Sequence, residues 1–223
     1  FVLFSMPLIR AFRISRGLKR ELREAFGKSG EGAGPACRKP FSFWKMFLGP
    51  LKKKTAYQSL VYYSDPGLSL SLDFYPAGES GPRPCVLVIH GGSWSSGDSR
   101  QLPELNSRLA QAGYHVAAVN YRLAPAYQSP SPVEDLRNAL VYLRRQAPEL
   151  QIDGGNFVLL GRSAGGQIAL LAAYTLADPG IKGVIGFYAP ADMVWGYSAP
   201  ANPPPSAAVR CRHKNQYFGK GLP

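Results

Sequence analysis

Two short stretches carry residue types that can do nucleophilic chemistry. Gly161-Arg162-Ser163-Ala164-Gly165-Gly166 directly follows the apolar run Phe157-Val158-Leu159-Leu160. Upstream, the apolar run Cys85-Val86-Leu87-Val88-Ile89 ends in His90-Gly91-Gly92-Ser93-Trp94. A strand that turns through Gly-x-Ser-x-Gly into a helix holds its serine in a sharp, strained elbow, with the hydroxyl exposed above the sheet. A β-carbon at Gly161 or Gly165 would collide with the neighbouring strand or helix. Two glycines after an earlier strand leave backbone N–H groups uncrowded and able to hold an oxyanion. The chemistry implied is acyl transfer to Ser163. The tetrahedral oxyanion would be held by the N–H groups of Ala164, Gly92 and Ser93, with Gly91 shaping the turn. The helix that starts after Ser163 points its positive end at the same place.

A serine hydroxyl is a poor nucleophile without a base in reach and an acid behind that base. Histidine is scarce: His90, His115 and His213 are the whole supply. His90 is expected to hydrogen-bond its own loop and brace the oxyanion turn. His115 falls in a strand and reads as a satisfied core residue. His213 lies in a Lys/Arg-rich tail and is the remaining candidate for the base. Asp192 is the candidate acid, but it also reads as a loop residue at the pocket wall. Trp94 and Tyr188 are expected to line the substrate pocket. The pattern calls for no metal and no cofactor.

These residues need a scaffold that ends strands beside helices. Leu68, Leu70, Leu72 and Phe74 alternate with Ser69, Ser71 and Asp73, which predicts a half-buried strand opening an antiparallel start. Apolar strands over 85–89, 115–120, 157–160 and 184–188 then alternate with helical stretches over 102–112, 133–146 and 164–176. Strands buried on both faces and separated by helices mean a mostly parallel α/β sheet with helices on both faces. For the second helix, Ser131 is expected as N-cap, Pro132 at the first position and Glu134 closing a capping box. After Asp192 the order fades into a Pro-rich loop and a basic tail over 210–223.

With 223 residues, one good core is the default, and 45% hydrophobic with 18% charged residues fits a globular protein. Cys37, Cys85 and Cys211 form neither a disulfide framework nor a metal spacing, which favours a reducing compartment. The net charge of +12 is segregated. Residues 1–54 hold 13 Lys+Arg against 3 Asp+Glu, a net of +10, and the remainder is +2. A nearly neutral catalytic region argues against a nucleic-acid partner. Residues 8–26 read as a basic amphipathic helix, with Ile14, Leu18, Leu22 and Phe26 recurring at i+4 beside an arginine stripe. Residues 1–56 are therefore expected to form a basic arm, either a cap on the body or a segment that meets an anionic membrane surface. A cytoplasmic or membrane-associated location follows. Residues 1–9 are apolar but too short to span a bilayer. The chain begins at Phe1 rather than Met, which reads as a fragment.

The chain resembles the α/β-hydrolases of the hormone-sensitive-lipase-like group of carboxylesterases. It is also similar to the small esterases and kynurenine formamidases that carry His-Gly-Gly-x-Trp. The resemblance rests on His90-Gly91-Gly92-Ser93-Trp94, Asn120-Tyr121-Arg122-Leu123-Ala124-Pro125, Pro132-Val133-Glu134-Asp135 and Gly161-Arg162-Ser163-Ala164-Gly165-Gly166. It covers roughly Tyr57 to Asp192, within a hydrolase domain set at 57–223. It implies a catalytic serine, an Asp or Glu after a later strand, and a histidine near the end of the domain. The sequence departs there: no strand followed by an acid, and no Gly-His, is visible in the 60 residues after Ser163. The last two strands and two triad members are expected to be missing. The implied function is a serine carboxylesterase for small or medium acyl esters. An arylformamidase-like amide hydrolase and a degenerate, non-catalytic binding protein are the alternatives.

Overall fold

The computed structural model describes residues 55–193 together with Glu21 and Glu24. The chain divides into two compact units, Phe1–Pro40 and Phe41–Pro223. In the first, Glu21 and Glu24 are helical and exposed. The expected basic amphipathic helix, the Pro-rich loop, the basic tail and His213 otherwise lie outside the described residues.

Among the described residues six strands form one sheet in the order β1-β2-β4-β3-β5-β6. Strands β1 (Gln58–Asp65) and β2 (Leu68–Tyr75) pair antiparallel, and β2 pairs antiparallel with β4 (His115–Val119). From there β4, β3 (Arg83–Ile89), β5 (Ile152–Arg162) and β6 (Ile181–Phe187) run parallel. Parallel neighbours need crossovers. The crossovers are made by α1 (Pro103–Gln111), α2 (Ser131–Arg145) and α4 (Ala164–Thr175), with a single turn α3 (Ala147–Leu150) before β5.

The alternation of side chains explains why the central strands read as unbroken apolar runs. Cys85, Leu87 and Ile89 of β3, Ala117 and Val119 of β4, and Phe157 and Leu159 of β5 share one core with Leu136, Leu140 and Leu143 of α2 and Ile168 and Ala172 of α4. Val86, Val88, Val116, Ala118 and Leu160 face the other way, onto Ala110 of α1. Helices therefore cover both faces, and each central strand is wet on neither. Among the described residues β6 is an edge strand, and its Ile185 and Phe187 are exposed.

Several local expectations need correction. Strand β2 is not half-buried throughout: Asp73 is buried along with Leu72, Phe74 and Tyr75, and Ser59 of β1 and Ser99 of the loop after β3 bond the Asp73 carboxylate. Strand β4 stops at Val119, and Tyr188 falls just past β6. Ser131 is not the N-cap of α2. Pro130 holds that position, no side chain caps the end, and Glu134 pairs instead with Arg122 at 3.0 Å. Arg122 outcompetes the capping box because its guanidinium already lies at the first turn, bonded to Asp135 and the Ser131 carbonyl.

Candidate active site

The register of the parallel strands sets the geometry. Ile89 of β3 stands opposite Gly161 of β5, so Gly91 and Ser163 leave the sheet side by side, two residues further on. A β-carbon at Gly91 would sit 3.3 Å from Ser163 Cβ and 3.0 Å from the Arg162 carbonyl oxygen. Ser163 turns the chain from β5 into α4 at φ 51°, ψ −121°, a left-handed conformation that costs a non-glycine residue about 1–3 kcal/mol. The turn is held from both sides: the Ser163 N–H donates to the Phe187 carbonyl at 2.9 Å, and its carbonyl accepts from Gly166 at 2.9 Å.

The flanking glycines are steric requirements. A β-carbon at Gly161 would overlap the Gly165 carbonyl, and one at Gly165 would overlap the Ile89 and His90 carbonyls. The close approach of α4 to β3 is thus made possible at these two positions.

The loop after β3 is tied down by residues far apart in sequence. His90 Nδ1 donates to the Gly91 carbonyl at 2.8 Å, and its ring stacks on Tyr121 with centroids 4.3 Å apart. Tyr121 Oη donates to the His90 carbonyl, and the Ala124 N–H to that of Trp94. The Gly91 N–H donates to Gln101 Oε1 at 3.0 Å. Behind the loop, Ser99 donates through Oγ to buried Asp73 and through N–H to Asn120 Oδ1. Asp73 also accepts from Ser59. Within the described residues, no hydrogen bond takes the N–H of Gly92, Ser93 or Ala164. Ala164 is the first residue of α4, directly after Ser163, and Gly92 and Ser93 follow Gly91 in the loop after β3.

The candidate acid–base residues are placed as follows. His90 is buried, and burial pushes its pKa below the usual histidine range against the pull of its Gly91 bond. His115 is equally committed: Nδ1 accepts from the Ala77 N–H and Nε2 donates to the Gln151 carbonyl. Neither histidine is bonded to Ser163. Asp192 is exposed in the segment after β6. Trp94 is 5% exposed and donates its indole N–H to Gln167 Oε1 at 3.1 Å, so it packs against α4. Tyr188 is 74% exposed. A cation-lined hollow of about 540 Å³ lies at the other end of the sheet, between Arg137, Arg144, Asp178 and Lys182. It holds no nucleophile, and Arg144 is already paired with Asp178 at 2.6 Å. The chemistry therefore points to the Ser163 end rather than to this hollow.

Sequence reasoning missed Gln101 and Asp73. Gln101 sits in a polar loop with no periodicity. Asp73 had a faint signal, an acid inside an otherwise apolar strand.

A serine elbow at the carboxyl ends of a sheet wound this way defines the α/β-hydrolase class. The model of the family described as BD-FAE matches residues 72–210, and the chain belongs to that family. Among solved structures it is similar to a bacterial heroin esterase, with a TM-score of 0.64 and 26% identity over 78% of this chain and 59% of that one. Among curated proteins it is 31% identical over 140 residues to the probable carboxylic ester hydrolase LipM of Mycobacterium tuberculosis, spanning 59% of this chain and 32% of LipM. It is 30% identical over 162 residues to the non-reducing polyketide synthase stbA of Stachybotrys bisbyi, spanning 67% of this chain and only 7% of the synthase.

Proposed function

We propose that the chain acts as a serine carboxylesterase on small or medium acyl esters, through an acyl-serine intermediate. The strained Ser163 elbow beside the Gly91 loop is the observation that carries this reading. The relatives named as ester hydrolases support it. Ser163 Oγ attacks the ester carbonyl carbon, and the C=O pair moves onto oxygen. The N–H groups of Gly92, Ser93 and Ala164 receive that oxyanion, a single donor being worth about 3 kcal/mol. Collapse expels the alcohol and leaves the acyl group on Oγ; water then reverses the sequence. The base that takes the serine proton comes from outside residues 55–193, since His90 and His115 are committed to the scaffold. Within this sequence the remaining histidine is His213. An amide would pass through the same oxyanion.

A fluorophosphonate probe tests the nucleophile. Labelling is expected at Ser163 and is expected to vanish in Ser163→Ala; unchanged labelling in that variant refutes the assignment. A folded chain that takes no label at all would favour the non-catalytic binding protein. Loss of p-nitrophenyl acetate turnover in His213→Ala would identify the base, because triad members act as a unit.

A further inference from the structure

The residue immediately before the nucleophile is a buried arginine. Arg162 is 3% exposed, yet among the described residues its Nε and Nη1 have no hydrogen-bond partner and no carboxylate pairs with it. Burial pushes its pKa below the usual guanidinium range. Burying a cation without an acid beside it is strongly unfavourable. A methionine would fill much of the same volume without that penalty. Among the described residues the guanidinium makes one hydrogen bond: Nη2 donates to the Gln101 carbonyl at 3.1 Å. Gln101 Oε1 in turn accepts from the Gly91 N–H. Arg162 and Gly91 thus meet through a single glutamine, while the Arg162 carbonyl lines the other side of Gly91. The loop so restrained is under strain, with Ser93 at φ 51° and Trp94 at φ 65°. Gly91 is buried, so without the Gln101 acceptor its N–H would be orphaned and the peptide would turn to find another.

We infer that Gln101 and Arg162 are positioning residues: Arg162 holds Gln101, and Gln101 holds the Gly91 peptide so that the Gly92 and Ser93 N–H groups stay directed at the oxyanion. The inference rests on the serine-hydrolase reading of Ser163. Gly91 itself donates nothing to the oxyanion, since its N–H is spent on Gln101.

Three variants of the full chain test it. Gln101→Met removes the acceptor at similar length, Gln101→Glu keeps an acceptor, and Arg162→Met removes the guanidinium. Amide hydrogen exchange over residues 90–97 is expected to quicken by about tenfold or more in both Met variants and to stay near the parent in Gln101→Glu. The melting temperature of Arg162→Met is expected not to fall. With p-nitrophenyl acetate, kcat is expected to drop by about 10- to 100-fold in both Met variants with KM within about twofold, the mark of a misplaced donor. The double variant should be no worse than the worse single one. Unchanged exchange over 90–97 in both Met variants overturns the proposal. So does equal loss in Gln101→Glu and Gln101→Met. Where turnover is too slow to follow, exchange decides; should Arg162→Met not fold, the Gln101 pair decides. Labelling that survives Ser163→Ala overturns the serine reading instead, whatever the exchange shows.

Discussion

At Ser163 the backbone holds φ 51°, ψ −121°, a conformation glycine adopts without penalty. Ser163→Gly should therefore stabilise the fold by about 1 kcal/mol, the strain relieved less the extra freedom of the unfolded chain. Ser163→Ala carries the same strain and should leave stability unchanged. Urea unfolding of the two variants checks this, and equal stabilities would remove strain from the account of the elbow. Gly165→Ala should act oppositely, destabilising by about 3 kcal/mol or more, because its β-carbon meets backbone carbonyls of β3 that cannot yield as a side chain can. Both glycines of the elbow were legible in the sequence, since a motif fixes the distance from strand end to helix start. Gln101 was not. Its contribution depends on where a loop of Gly, Ser and Asp folds back, and nothing in the local pattern encodes that.

Among the elements, the segment after β4 and the start of α2 act as one piece. Arg122 donates its backbone N–H and Nε to Asp135, each at 2.8 Å, and the Asp135 side chain is 1% exposed. Burial pushes the Asp135 carboxyl above its usual range, against the pull of the Arg122 hydrogen bonds. Removing one partner strands a buried charge, so Asp135→Ala should cost about 3–5 kcal/mol in chemical denaturation. Asn120-Tyr121-Arg122 and Glu134-Asp135 marked the family resemblance in the sequence; the contacts supply the reason, a clamp on the loop that carries His90. The parallel core was legible because two-sided burial leaves unbroken apolar runs. Strand β1 was not, because only Tyr62 of its eight residues is buried and no alternation survives. His115 adds a pH dependence. Its Nδ1 accepts from Ala77, so protonation would set two N–H groups against each other, and burial lowers its pKa further. In the unfolded chain the ring titrates near about 6.5. The unfolded state then binds more protons as pH falls below that value, so stability is complete above it and declines beneath it. His90 shifts in the same direction. The urea midpoint should fall between pH 7.5 and 5.5, and less steeply in His115→Gln; identical slopes would show that His115 does not contribute.

Along the sequence, the positive charge is segregated from the segment that holds Ser163. The body carrying Ser163 belongs to a chain whose residues 55–223 total only +2, whereas residues 1–54 carry +10. Among the described residues no helix is long and apolar enough to cross a membrane. In the sequence, a stripe of Ile14, Leu18, Leu22 and Phe26 beside five arginines reads as a basic amphipathic helix. A basic amphipathic helix gains about 1 kcal/mol per Lys or Arg near an anionic surface, and more from burying its apolar side. An ester hydrolase so attached would meet hydrophobic acyl substrates where they partition. The rival reading is an arm that packs permanently on the body, in which case the stripe is spent on protein contacts and lipid finds only screened surface charge. The two differ in a co-sedimentation assay with vesicles of phosphatidylserine and phosphatidylcholine. The full chain should sediment with anionic vesicles and be released by salt, as charge attraction over a Debye length of about 8–10 Å requires. A chain shortened to begin at Thr55 keeps the Thr55–Ser107 hydrogen bonds of the body and should stay in the supernatant. Equal sedimentation of both chains, or binding indifferent to salt and lipid charge, would leave the membrane reading without support.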